Sequence, residues 1–155
     1  MSANTATLTQ HQQQVLYPQP FIASGSFTTT VDSNILPIDT REITHNVEYK
    51  IYTVTGRYAD PLNKSVRTVT IEFADDTPAG TVFDLEKSEF TKTRVWFSVH
   101  SDINKYSVRV IKGTLSIQQI GNTNQLHIAG ACTGDTERTP SGRIHQMVIN
   151  FDLHN

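Results

Sequence analysis

The sequence predicts an all-β protein, an antiparallel β-sandwich of about eight strands, with a small β-barrel as the alternative. Apolar and polar residues alternate with a period of two in five segments: 66–73, 93–100, 105–110, 114–120 and 143–153. This period places one set of side chains on each face of a strand, which is typical of half-buried antiparallel sheets. Threonine recurs throughout, and its β-branched hydroxyl side chain suits the solvated face of a strand.

The first predicted strand is 21–31, FIASGSFTTTV, in which Gly25 marks a bulge or bend. A turn at Pro37 precedes the next strand candidate, 43–58. This segment has apolar residues on both parities, so it is predicted either to be buried on both faces or to change face at a bulge.

The turn DPLNK (60–64) leads into strand 66–73. Here Arg67 shares its parity with three apolar residues, Val69, Ile71 and Phe73. The loop 74–80 follows, and 82–90 is the one stretch predicted to form a short helical turn, because its apolar residues fit no clean period.

The second half of the chain consists of predicted hairpins. In 93–100 the apolar side chains of Val95, Phe97 and Val99 face one way, and Arg94, Trp96, Ser98 and His100 face the other. Segments 114–120 and 125–133 flank the Gly/Asn turn 121–124 and give the strongest hairpin signal. After a polar loop, the last strand places Met147, Ile149, Phe151 and Leu153 on one face.

The predicted organisation is a flexible Thr/Gln-rich tail over 1–18 and a single β domain over 19–155. The tail has too few apolar side chains to offset the entropy lost on ordering. A chain of 155 residues fits one domain.

Composition excludes several classes of protein. The net charge is −2, from 13 basic and 15 acidic residues without a basic cluster, so neither nucleic-acid binding nor electrostatic membrane binding is predicted. A single cysteine permits no intrachain disulfide. The sequence shows no secretory signal and no long apolar run, which makes the cytoplasm the default location, with export by a route that reads no N-terminal signal left open.

No metal site, cofactor or catalytic residue is predicted. Four histidines lie in strand candidates, but none has a second histidine or a cysteine at the spacing that a zinc site built on strands requires, and Asp102 after His100 is the one carboxylate at that spacing; the four histidines are His45, His100, His127 and His145. Cys132 is predicted to be structural, because no helix or adjacent base is present to activate its thiol.

Trp96 is the most unusual side chain, because it is predicted on the polar face of its strand between Arg94 and His100. Three explanations remain open. The segment 82–90 covers it, a protein or second subunit contacts it, or a glycan or small ligand stacks on it.

Three functions follow from these observations. The first is a non-enzymatic module that binds a protein partner, or itself, through Trp96, Arg94 and His100. The second is a carrier or lectin that holds a glycan or small apolar ligand beside Tyr52, Tyr58 and Trp96. A pocket of roughly 300 Å³ or more would favour it. The third is an enzyme built from dispersed residues, which clustering of His100, His127 and His145 would favour.

Overall fold

The computed structural model describes residues 20–121 and 126–155. The strands are β1 (Pro20–Ile22), β2 (Ser24–Val31), β3 (Asn34–Leu36), β4 (Thr40–Asn46), β5 (Ile51–Ala59), β6 (Val66–Ala74), β7 (Thr81–Asp84), β8 (Arg94–His100), β9 (Lys105–Ile120), β10 (His127–Thr136) and β11 (Gln146–His154). One 3₁₀ turn spans Leu85–Lys87. The all-β prediction is confirmed, whereas the predicted tail 1–18 and most of the turn 121–124 lie outside the described residues. Within those residues no helix has the length and apolar character needed to cross a membrane.

All strand pairs are antiparallel, and the sheet curls into a half-barrel. Ten strands follow one hydrogen-bonded path, β1-β4-β5-β6-β8-β9-β10-β11-β2-β3, and β7 pairs with β9. The long strand β9 pairs with β8 through its first half, and with β10 and β7 through its second half. It therefore links the two halves of the sheet.

Two glycines permit the chain to bend where the sheet curls. Gly113 in β9 has φ +118°, and a Cβ there would lie 2.0 Å from the carbonyl oxygen of Thr133. Gly25 at the start of β2 has φ +115°, and a Cβ there would lie 2.0 Å from the carbonyl oxygen of Asp152. Only glycine adopts such a backbone at so close an approach, which agrees with the irregularity predicted at Gly25.

One apolar core fills the inside of the curl. In β11 the predicted inner face is confirmed, since the residues that alternate along it are buried: Met147, Ile149, Phe151 and Leu153. Opposite parts of the sheet meet across this core, because a Cβ on Gly56 of β5 would lie 2.7 Å from the ring of Phe27 in β2. These two strands are not neighbours in the sheet, so the core is shared between its halves.

The prediction of a single strand over 43–58 is wrong. β4 ends at Asn46 and β5 begins at Ile51, and the two form an antiparallel hairpin. Within the turn, Lys50 has φ +56° and Tyr49 is 61% exposed. The apolar residues of this turn continue the alternation of the strands, so the period alone does not reveal that β4 ends here.

Other boundaries also differ from the prediction. Segments 105–110 and 114–120 form the single strand β9, because Gly113 bends the strand without ending it. The segment 82–90 contains the end of β7 and a 3₁₀ turn that begins after Asp84, whose carboxylate accepts a hydrogen bond from the Glu86 N–H at 3.1 Å. Over residues 20–121 and 126–155, eleven strands replace the predicted eight or so, since β1, β3 and β7 are too short to show a clear period.

Candidate functional site

The inner face of the sheet becomes polar at one end of the curl. Tyr58, Arg67, Val99 and Tyr106 are register partners in a row across β5, β6, β8 and β9. Arg67 continues the inner-facing parity of β6 beyond its buried apolar residues, and Tyr106 does the same in β9. The apolar core therefore gives way to charged and hydroxyl groups along this row.

A cavity of about 280 Å³ opens at this end, and we call it the recess. Its polar lining comes from the β2–β3 turn, β6, β9 and the segment before β11. Its apolar wall comes from β2, β3 and β8. The residues that line the recess include Val31, Asp32, Ile35, Leu36, Arg67, Phe97, Val99, Asn104, Tyr106, Arg143 and His145.

A hydrogen-bonded chain of three side chains crosses the wall of the recess. Asp32 Oδ2 lies 2.7 Å from His145 Nδ1, and His145 Nε2 lies 3.1 Å from the Tyr106 hydroxyl. Asp32 sits in the tight turn between β2 and β3 with φ +53°, and Ser33 follows with φ +67°. This turn brings the carboxylate to the start of β11, where the Gln146 N–H donates to Asp32 Oδ1 at 2.9 Å.

The imidazole of His145 is fixed from several sides. His145 is 7% exposed, its backbone N–H donates to Thr136 Oγ1 at 3.0 Å, and the Phe97 ring contacts it edge-on at 5.4 Å between centroids. In the neutral imidazole whose Nδ1 proton is directed at the Asp32 carboxylate, Nε2 accepts the hydrogen bond that Tyr106 donates. The orientation of the Tyr106 hydroxyl is therefore set by the chain behind it.

The pKa of Asp32 is lowered and the pKa of Tyr106 is raised. Burial alone would raise the pKa of Asp32, but the Gln146 N–H, the hydrogen bond and charge of His145, and the charge of Arg143 together lower it. Burial raises the pKa of Tyr106 above its usual value, although Arg67 and Arg143 oppose the shift. At neutral pH the recess therefore contains an ionised carboxylate and a protonated phenol.

Positive charge exceeds negative charge in the recess. Arg143 Nη2 lies 3.3 Å from Asp32 Oδ2, while its side chain remains 65% exposed. Arg67 lines the same cavity, and in the part of the chain that the structure describes no carboxylate lies within salt-bridge distance of it. Two guanidinium groups thus line the recess together with one carboxylate, and only Arg143 contacts that carboxylate.

A second depression of about 450 Å³ adjoins the recess. It shares Asn104, Tyr106, Arg143 and His145 with the recess and extends over the loop that precedes β11. Hydrogen bonds hold this loop, since the Thr139 N–H donates to the Arg143 carbonyl at 2.8 Å. The accessible space on this side of Tyr106 and Arg143 is therefore larger than the recess itself.

Comparison with protein-family models, curated proteins and solved structures gives no match. What the recess binds is therefore inferred from its own geometry.

The five residues predicted as a binding site are not brought together. Trp96, Arg94 and His100 share the outer face of β8, where Trp96 is half-buried and the Arg94 guanidinium lies 5.8 Å from the centre of its ring. Tyr52 and Tyr58 lie on the inner face of β5. Tyr52 and Trp96 therefore cannot line one surface, as the carrier hypothesis requires, whereas Tyr58 lies beside Arg67 in the row described above.

The histidines proposed for an enzyme site do not cluster. His127 begins the ten-residue strand β10, and His145 is hydrogen-bonded to Thr136 at its end, so the two are about 30 Å apart. His100 lies on the outer face at the end of β8. Sequence reasoning missed instead that three histidines each pair with an aspartate: His45 with Asp75, His127 with Asp152 and His145 with Asp32.

Cys132 is 1% exposed, and burial raises its pKa to about 12. A thiolate therefore does not form at neutral pH, which supports the structural role predicted for this residue. Among the described residues no group of three or more histidine, cysteine or acidic side chains is placed to hold a metal ion.

Proposed function

We propose that this protein is a non-enzymatic binding protein that holds a small molecule in the recess. The observation that carries this proposal is the convergence of Arg67, Arg143 and Tyr106 on a cavity that apolar side chains of β2, β3 and β8 also line. Binding sites for small molecules are concave, largely apolar and supplied with a few directed polar groups, and they begin at volumes of roughly 300 Å³. The recess lies close to that limit, and the adjoining depression enlarges it.

The barrel alternative to the predicted sandwich suits this function. β1 and β2 are separated by Ala23 alone, yet β1 pairs with β4 and β2 pairs with β11. One almost continuous chain segment thus joins the first strand of the sheet path, β1, to its next-to-last strand, β2. In this proposal the recess is the mouth of a small barrel, a common place for ligands.

A thermal-shift screen tests the proposal. A ligand present at about 100 times its dissociation constant stabilises the folded state by about 2.7 kcal/mol. We expect at least one member of a panel of fatty acids, aromatic acids, alcohols and sugars to raise the melting temperature, and the shift to shrink in Arg67→Gln.

The matched control for the screen is Arg94→Gln, which removes the same charge from the outer face of β8. The ligand response should persist in this variant. A panel without any response, or a response that Arg94→Gln abolishes and Arg67→Gln leaves intact, would contradict binding in the recess.

The outer face of β8 supports a second candidate function, association with a protein partner or another copy of the chain. Trp96 is in register with Thr70 and Arg109, and Arg94 stacks over it. Nearby Glu72 is partly buried, and this burial raises its pKa against the opposing charge of Arg94. An aromatic ring flanked by arginines is the composition enriched at interface anchors.

Sedimentation velocity of the Trp96→Ala variant tests this candidate. Loss of an interface anchor weakens association by about 2 kcal/mol or more, so the concentration dependence of the wild-type sedimentation coefficient should disappear. A sedimentation profile identical to that of the wild type would refute an interface at Trp96.

A further inference from the structure

We infer that the ligand of the recess carries an anionic head group, a carboxylate or a phosphate, attached to a short apolar body. This inference depends on the proposed function and specifies the class of molecule bound. It comes from the distribution of hydrogen-bond donors, acceptors and charges around the cavity.

The one carboxylate that the described residues place in the recess, that of Asp32, already has hydrogen-bond partners. Asp32 accepts hydrogen bonds from the Gln146 N–H at 2.9 Å and from His145 Nδ1 at 2.7 Å, and Arg143 lies 3.3 Å away. Three partners engage its two oxygens, so little acceptor capacity remains for the hydroxyl groups of a sugar. The negative charge is neutralised within the wall.

The positive charges are not neutralised in the same way. Each guanidinium has five N–H donors. Arg143 makes one ion pair, with Asp32. Arg67 has no carboxylate within salt-bridge distance among residues 20–121 and 126–155. Guanidinium groups recognise carboxylate and phosphate through paired hydrogen bonds. An anion placed between Arg67 and Arg143 satisfies both.

The neutral polar groups of the recess are compatible with such an anion. Asn104 contributes an amide that can donate, and Tyr106 retains its proton because burial raises its pKa. Among the residues that the structure describes, no second ionised carboxylate lines the cavity to repel the ligand.

The apolar wall of the recess determines what kind of body the ligand carries besides its head group. Aliphatic and aromatic side chains from β2, β3 and β8 line the same cavity as the guanidinium groups: Val31, Ile35, Leu36, Phe97 and Val99. Val99 is the register partner of Arg67. A volume of about 280 Å³ limits the apolar body to a short chain or a single ring. An amphipathic acid of medium length fits this combination.

Isothermal titration with three eight-carbon probes tests the inference: octanoate, octyl phosphate and 1-octanol. We expect octanoate or octyl phosphate to bind at least about tenfold more tightly than octanol, since a hydrogen bond to a charged group contributes about 1.5–3 kcal/mol. The tighter of the two acids assigns the head group. Added salt should weaken the acid and leave the alcohol nearly unchanged.

Three variants localise the effect. Arg67→Gln should remove the preference for the acid, and Arg67→Lys should retain part of it. Arg94→Gln, on the outer face, should leave it intact. Circular dichroism of each variant verifies the fold. Because Arg67 is exposed near the start of β6, its replacement should not unfold the protein.

The outcomes separate this inference from the proposed function. Equal affinity for octanol and for both acids, or an equal loss for all three probes in Arg67→Gln, would overturn the anionic class and leave ligand binding in place. If none of the three probes binds but a neutral member of the wider panel does, the anionic class is likewise overturned and ligand binding in the recess stands. Absence of any response in the wider panel would overturn both the anionic class and the proposed binding of a small molecule in the recess.

Discussion

Two ends of the same sheet carry the same three kinds of residue in different surroundings. The recess end contains Asp32, Tyr106 and His145. The opposite end, which we call the closed end, contains His45, Tyr52 and Asp75. At both ends a histidine nitrogen lies within 3 Å of an aspartate oxygen, at 2.7 Å in the recess and 2.9 Å at the closed end.

The difference lies in what the tyrosine faces. Tyr52 is 5% exposed, lies 4.4 Å from the His45 ring and 5.8 Å from the Phe73 ring, and belongs to the core. Burial and the charge of Asp75 both raise its pKa. Tyr106 is half-buried and lines a cavity, and two arginines oppose the effect of burial. The same residue types thus serve packing at one end and are accessible to a ligand at the other.

The largest expected effect tests whether the closed end is a packed core. Phe73→Ala removes a fully buried ring that packs on Tyr52 and should lower the free energy of unfolding by about 3–5 kcal/mol. Arg67→Ala in the recess should change it by only about 0.5 kcal/mol, as exposed positions do. Urea denaturation measures both, and similar losses in the two variants would remove the distinction between the ends.

An intermediate effect concerns Asp32 and its pH dependence. Asp32→Asn should lower the free energy of unfolding at pH 7 by about 1–3 kcal/mol, because it weakens hydrogen bonds to a charged acceptor. The folded-state pKa of Asp32 lies below the ordinary value of 3.8. Its stabilising contribution is therefore complete above that value and is lost as the pH falls through the lower, folded-state pKa.

The stability gap between wild type and Asp32→Asn should accordingly narrow as the solution is acidified below about pH 4. Urea titrations at neutral pH and at several acidic values measure this gap. A gap of constant size down to pH 2 would contradict the lowered pKa.

The smallest expected effect separates the two tyrosine hydroxyls. Tyr106→Phe removes the hydrogen bond to His145 Nε2 and should cost about 0.5–1.5 kcal/mol. Tyr52→Phe keeps the ring that fills the core and should cost less. Chemical denaturation of both variants provides the comparison, and a larger loss for Tyr52→Phe would show that its hydroxyl is structurally important.

The strands that build the recess were largely predictable, because their periods are clear. Arg67 shares a parity with Val69, Ile71 and Phe73, and Tyr106 with Val108 and Val110. Polar side chains that continue an inner face at the end of a strand are a readable signal of a polar opening. That signal was available in the sequence for both residues.

The meeting of these residues was not predictable, because it depends on contacts far apart in the chain. Asp32 and His145 are separated by 113 positions and are joined by the pairing of β2 with β11. Nothing local in either segment specifies that pairing. The turn between β4 and β5 was missed for a local reason. The apolar side chains of Val47 and Tyr49 continue the alternation of the flanking strands, so the segment has the pattern of one uninterrupted strand.

The position of β11 between β10 and β2 has a consequence for folding. The hairpins β4–β5–β6 and β8–β9–β10 join neighbouring stretches of chain and close small loops. The β2–β11 ladder instead joins Val31 to Met147 and must close a loop of more than a hundred residues. Such high contact order slows folding to milliseconds or seconds. We therefore expect the hairpins to form early and the Asp32–His145 contact to form late in folding.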